Sequence, residues 1–184
     1  MTAAARLTVA AAARRALAEI TALLDQIDWS GLDELAGRIV GARRVYLTGL
    51  GRSGLAARAV GMRLMHVGLD VHIVGDTTTP GIGTGDLLLA VSASGSAATV
   101  RQAKTAVGLG AQLIAITNGE PNPLGQLADN VIAIPSRTRV PTHQHAGSLF
   151  EQGTLLLGDA VCAAVQDLLH VSEADLDRRH ANLA

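Results

Sequence analysis

Three short stretches of this sequence carry residues whose types and spacing suit chemistry on a small anionic molecule. The first is Gly49-Leu50-Gly51-Arg52-Ser53-Gly54, which follows the apolar run Val45-Tyr46-Leu47-Thr48 and opens a helical pattern, with Asp76 a further 22 residues on. A G-x-G-x-x-G turn between strand and helix, followed at this distance by an acidic residue, fits a dinucleotide fingerprint. The same glycines also suit a tight strand-to-helix turn that binds nothing. The second stretch is Ser92-Ala93-Ser94-Gly95-Ser96, which ends another apolar run ahead of a second helical pattern beginning at Ala97. Hydroxyls and backbone amides at a helix N-terminus face the positive end of its dipole and favour a phosphate. A serine at that place is equally an ordinary N-cap. Two such loops on neighbouring strands would clamp one small phosphorylated molecule.

The third stretch, Ser148-Leu149-Phe150-Glu151, opens a long helical pattern. A carboxylate whose pKa is raised by burial can remove a carbon-bound proton beside a carbonyl, so Glu151 is a candidate general base. S-x-x-E is also a capping box, with the carboxylate folded back on the serine amide, and both readings stand at this point. His66 lies late in the first helical pattern, in Met62-Arg63-Leu64-Met65-His66, where a lone histidine more often packs or ends a helix than catalyses. His143 and His145 have no third ligand at a compelling spacing, so no metal site is expected. Neither a G-x-S-x-G elbow nor a P-loop lysine motif is present, which weighs against hydrolases and NTPases.

The elements that must position these groups follow from the hydrophobic pattern. Apolar runs at 45–48, 71–74, 87–92, 113–117 and 131–134 read as strands buried on both faces. Helical patterns at 54–67 and 97–109 and a short one near 124–128 lie between them. Strand and helix alternating in this way predict a parallel sheet with right-handed crossovers and helices on both sides. A long amphipathic helix is expected from residue 3 to about 27, and a second from 31 to about 40 with Ser30 as its N-cap. A final helix is expected from 148 to about 169, followed by a polar tail from 171. Nothing marks a linker, so residues 1–184 are read as one domain with an N-terminal helical segment at about 3–40.

Composition narrows the function classes. The 184 residues hold 15 basic and 16 acidic side chains, one tryptophan, one tyrosine and one phenylalanine, which is neither the basic footprint nor the stacking surface of a nucleic-acid binder. The single Cys162 permits no internal disulfide and favours a reducing, cytoplasmic setting. The apolar stretch 7–13 is short and ends in Arg14-Arg15, unlike a signal peptide, and no run is long enough to span a membrane.

The stretch GLGRSGLAARAVGMRLMHVGLDVHIVGDTTTPGIGTGDLLLAVSASG, with GSLFEQ at 147–152 and RHANL at 179–183, resembles the sugar isomerase (SIS) domain family and within it the 6-phospho-3-hexuloisomerases. The likeness covers about residues 40 to 184. It implies a three-layer, flavodoxin-like α/β fold with a five-stranded parallel sheet, and conversion of D-arabino-hex-3-ulose 6-phosphate to fructose 6-phosphate through a cis-enediol. It also implies a homotetramer in the ribulose monophosphate pathway, working alongside a hexulose-phosphate synthase. On the matching positions Glu151 is the proton acceptor, while Ser53 and the loop Ser92, Ala93, Ser94, Gly95, Ser96 and Ala97 bind substrate. His66 is the second catalytic candidate, with a subunit contact as one way for it to reach the site, and His180 is comparable to it. One base at C2 and C3 requires neither metal nor redox cofactor. Ala93 and Ala97 replace a glycine and a threonine of the family pattern, and Gln144-His145-Ala146-Gly147 stands where relatives often show QPMG. The other readings are a non-catalytic phosphosugar-binding module, an arabinose 5-phosphate isomerase-like enzyme and, through G-x-G-x-x-G and Asp76 alone, a dehydrogenase.

Overall fold

The computed structural model describes residues 6–119, 121–137 and 139–183. The apolar runs form five strands, β1 (Val45–Gly49), β2 (Val71–Ile73), β3 (Leu87–Val91), β4 (Gln112–Thr117) and β5 (Asn130–Ala133). All pair in parallel in the order β2-β1-β3-β4-β5. The three central strands are almost wholly buried, as a sheet covered on both faces requires, whereas the edge strand β2 is half-buried throughout.

Alternate side chains face two different layers. Val45, Leu47, Leu87, Leu89, Val91 and Ile114 join the larger core, which α2 (Leu32–Gly41), α3 (Gly51–His66) and α5 (Ser148–Leu168) cover. Tyr46, Leu88, Ala90, Leu113 and Ala115 face the smaller core beneath α4 (Ala97–Gly108). Ala103 and Ala106 of α4 meet Ala90 and Ala115 of the sheet, and such small side chains let the helix lie close. Leu23 of α1 (Val9–Leu24) reaches the larger core, where α1 packs on α5. Cys162 of α5 is buried there too, its thiol 3.8 Å from the Val60 carbonyl oxygen of α3. Burial pushes that thiol up to about 12.

Several boundaries differ from the sequence expectation. The first helix begins at Val9 behind Thr8, whose hydroxyl accepts from the Ala11 amide at 3.2 Å; residues 3–5 of the expected span lie outside the described residues. Ser30 is not the cap of α2: that place is taken by Gly31 at φ 77, while the Ser30 amide donates to Asp28. The pattern near 124–128 yields only a 3-10 turn, Gly125–Leu127. The expected polar tail contains a helix, α6 (Glu173–Arg179), started by a capping box between Ser172 and Asp175.

No helix joins β2 to β3. Residues 74–86 instead form an irregular segment whose Val74 and Ile82 pack on the smaller core. Its far end is fixed by Asp86, whose side chain is fully buried and accepts from Arg43, from Arg44 and from the Gly83 amide at 2.8–3.1 Å. Arg44 and the Tyr46 hydroxyl also donate to the Gly81 carbonyl, at 2.9 and 3.1 Å. Burial alone would raise the Asp86 pKa, but the hydrogen bonds from Arg44 and Arg43 outweigh it and hold the carboxyl far below the usual carboxylate range. A depressed folded pKa stabilises the fold above the ordinary carboxylate pKa and loses that contribution as pH falls below it. Asp86→Ala, which strands Arg43 and Arg44, is expected to destabilise the protein by about 3 kcal/mol in urea unfolding at pH 7. A loss under about 0.5 kcal/mol, the scale of an ordinary surface substitution, would show that the cluster does not anchor the segment.

Candidate active site

In the observed strand order the chain leaves β1 for one face of the sheet and β3 for the other. Ligands of doubly wound sheets bind in the crevice this opens at the carboxyl ends of the strands. The turn after β1 is so tight that a Cβ on Gly54 would lie 2.5 Å from the Gly49 carbonyl oxygen. Helix α3 therefore starts directly at the strand end, with Arg52 and Ser53 in its first turn and no side-chain cap on its amides.

The serine loop after β3 divides its hydroxyls between structure and solvent. Ser92 is buried and accepts from the Ser96 amide at 2.9 Å. Ser96 is the N-cap of α4, accepting from the Thr99 amide at 3.3 Å and sharing a 2.8 Å hydrogen bond with the Thr99 hydroxyl. Its bland reading holds, and its hydroxyl does not stand in for the one missing at Ala97, which is exposed at the first helical position. Ser94 is exposed and its hydroxyl makes no hydrogen bond to another described residue, so it is free for a ligand. Ala93 and Ser94 line a cleft of about 500 Å³ whose other walls include Asn118, Arg137, Ala146, Gly147 and Phe150.

Glu151 is in the first turn of α5, at the same end of the sheet. The capping box expected for it does not form: Gly147 is the N-cap, and the Ser148 hydroxyl donates to the His145 carbonyl at 2.7 Å. The Glu151 carboxylate instead accepts both Nε and a terminal amine of Arg52 in a bidentate ion pair. This pair links the glycine-rich turn after β1 to the start of α5. Arg52 is the partner of Glu151 that sequence reasoning missed. No local pattern reveals a partner 99 residues away.

The histidines lie elsewhere. His66 ends α3, about 20 Å along the helix from Arg52 by the rise per residue. It is buried, with its ring stacked on His180 at 5.2 Å between centroids. Arg179 donates to the His66 carbonyl at 3.1 Å, so the RHANL ending serves to dock the C-terminal segment on the end of α3. Within one chain neither histidine is brought to Glu151. Asp76 is also committed, in a bidentate pair with Arg58 of α3, which takes up the carboxylate the dinucleotide reading needs. Among the described residues no three His, Cys, Asp or Glu side chains group so as to hold a metal ion. No single helix among them is long and apolar enough to cross a membrane.

Residues 38–155 match the family model of the SIS domain. The chain is 43% identical to a 3-hexulose-6-phosphate isomerase of Mycobacterium gastri, over 90% of this chain and 86% of that one. A 3-hexulose-6-phosphate isomerase of Bacillus subtilis is 36% identical, over 82% and 85%. Among solved structures, a Methanococcus jannaschii protein whose crystal structure was taken to infer a 3-hexulose-6-phosphate isomerase function superposes with a TM-score of 0.83. It is 32% identical, with 94% of this chain and 99% of that one covered.

The buried imidazole sets one pH dependence. Burial, then the charges of His180 and Arg63, lower the His66 pKa, so the fold resists protonation that the unfolded chain accepts. Stability contributed by a neutral His66 is therefore intact above about pH 6.5 and falls as pH drops below it. In urea unfolding between about pH 5 and 8, His66→Gln is expected to lose less stability toward the acid end than the wild type; parallel curves would refute this.

Proposed function

The chain belongs to the SIS-domain family, with the 3-hexulose-6-phosphate isomerases among its relatives, and from that premise we propose that it is a phosphohexuloisomerase acting by proton transfer. The substrate is D-arabino-hex-3-ulose 6-phosphate and the product fructose 6-phosphate. The observation that carries the mechanism is the meeting of Glu151, Arg52 and the start of α3 at the end of the sheet that also holds the serine loop.

Moving the carbonyl from C3 to C2 takes a proton from C2, passes through a cis-enediol and returns a proton to C3. Glu151 is the base at both carbons, and so no cofactor is called for. Arg52 must release the carboxylate before it can meet the substrate, since the guanidinium occupies both of its oxygens. Ser53, Ser94 and the uncapped amides of α3 bind the phosphate, within a substrate loop running from Ser92 through Ala93, Gly95 and Ser96 to Ala97. Their part is to fix the reacting carbons beside Glu151. His66 is the second catalytic candidate, and its distance from Arg52 along α3 means it serves only a site on another copy.

The proposal includes assembly as a homotetramer. Leu55 and Met62 of α3 and Leu155 and Leu156 of α5 are exposed on helices that pack side by side. Exposed apolar side chains on neighbouring helices support an associating surface where they form one patch. It further includes one domain over the whole chain, a cytoplasmic setting, and a place in the ribulose monophosphate pathway beside a hexulose-phosphate synthase.

The test supplies purified protein with ribulose 5-phosphate, formaldehyde and a separate hexulose-phosphate synthase, and follows fructose 6-phosphate through a coupled NADPH readout. Protein-dependent product is expected; none, with an active synthase and a folded protein, would leave a phosphosugar-binding module as the better reading. Glu151→Gln should lower kcat by about 10²- to 10⁴-fold, the usual worth of a general base, with KM within a few-fold. Comparable turnover would remove Glu151 as the base.

A further inference from the structure

The loop between β5 and α5, residues 134–147, walls the cleft through Ser136, Arg137, Ala146 and Gly147 and leads into the turn that carries Glu151. Loops of this length without helix or strand in a compact fold are commonly functional and need holding. This one contains Ala146 at φ 50, directly before the N-cap of α5. A residue with a Cβ keeps that left-handed conformation only when its surroundings impose it.

The group placed to impose it is on the first helix. Glu19 lies on the face of α1 turned to the protein, in register with the buried Leu23 and Ile27, and its side chain is only 9% exposed. The carboxylate accepts from the Thr142 hydroxyl at 2.7 Å, the His143 amide at 3.0 Å and the Gln144 side-chain amide at 3.1 Å. Among the described residues, these are the hydrogen bonds that tie 142–144 to the rest of the protein. Arg15, at 3.8 Å and half exposed, is a weak further partner. An apolar residue at this place on the stripe would cover the core without the cost of burying a charge. The carboxylate spends its acceptors on one stretch of one loop. Burial works to raise its pKa, but the His143 amide, Thr142 and Gln144 together hold it below the ordinary carboxylate value.

We propose that Glu19 is a positioning residue of the active site, fixing residues 142–144 and through them Ala146 and the first turn of α5, so that Glu151 and the cleft wall face the serine loop in one geometry. The role rests on the isomerase reading above. It makes the N-terminal helix a support of the reaction site as well as a cover for the core.

The experiment compares wild type, Glu19→Ala and Glu19→Gln by amide hydrogen exchange and by steady-state kinetics in the coupled assay. Exchange at 142–147 is expected to rise in Glu19→Ala while the sheet stays protected. A misplaced base should cost that variant about tenfold to a hundredfold in kcat, with KM within about threefold because the phosphate is held by other turns. Glutamine with its oxygen at the Oε1 place keeps the acceptor for the His143 amide, and its NH2 at the Oε2 place can donate to the Thr142 hydroxyl and to a reversed Gln144 amide. Glu19→Gln should therefore recover most of the turnover and the protection, a rescue that loss of stability alone would not produce. Unchanged exchange in Glu19→Ala would show that the loop stands without Glu19. Faster exchange with unchanged kcat would show that the loop's order does not serve the reaction, and either result overturns the proposal. Should Glu19→Ala fail to fold, Thr142→Val removes one donor of the same cluster and carries the comparison at smaller amplitude. An inactive wild type would sink the isomerase reading and the positioning role with it, while exchange would still report whether Glu19 holds the loop.

Discussion

The close seating of α3, against β1 at its start and against α5 along its length, is the constraint on which the site depends. Two absent side chains permit it: a Cβ on Gly54 would strike the Gly49 carbonyl, and one on Gly158 would lie 2.2 Å from a Val60 methyl. With both contacts made, α3 begins at the strand end and runs along α5, so that residues 52 and 151 come into hydrogen-bond range. A helix displaced by even one methyl diameter would part the guanidinium from the carboxylate. Interiors packed this densely do not absorb such a change without moving a neighbour.

The ion pair that results has two aspects. In the resting protein it satisfies a carboxylate that would otherwise stand beside a run of uncapped helix amides. For the proton transfer proposed for Glu151 it is an obstacle, because the guanidinium occupies both carboxylate oxygens. A substrate carrying its own dianion offers Arg52 a competing partner. Under the proposed function, that exchange at Arg52 would free the Glu151 carboxylate as the phosphate arrives.

The sheet was legible in the sequence because each of its strands is a short apolar run flanked by turn residues, and its parallel pairing followed from the alternation with helices. The helix α6 was not, since it is set by a polar capping box at Ser172 and has no buried residue to mark a stripe. The site was legible in part. Ser94, Ser53 and Glu151 sit at the sheet end where their motifs put them, while Ser96 proved to be a cap and His66 and His180 stack on each other far from Arg52. The capping-box alternative for Glu151 with Ser148 shows where local reasoning stops: S-x-x-E can satisfy a helix end within four residues, but the carboxylate found a cation on another element. Arg52 and Glu19 were invisible for the same reason, since their partners are about a hundred residues distant and nothing in their neighbourhood announces them.

Cys162 sits in the seam between α3 and α5, with its sulfur against a carbonyl of α3 and its thiol too weakly acidic to react at neutral pH. Since the chain has no other cysteine, labelling by a thiol reagent reports a single event, the separation of these two helices. The molecule thus carries a clock for the lifetime of its own helix seam, readable without any engineered cysteine and without an enzymatic signal.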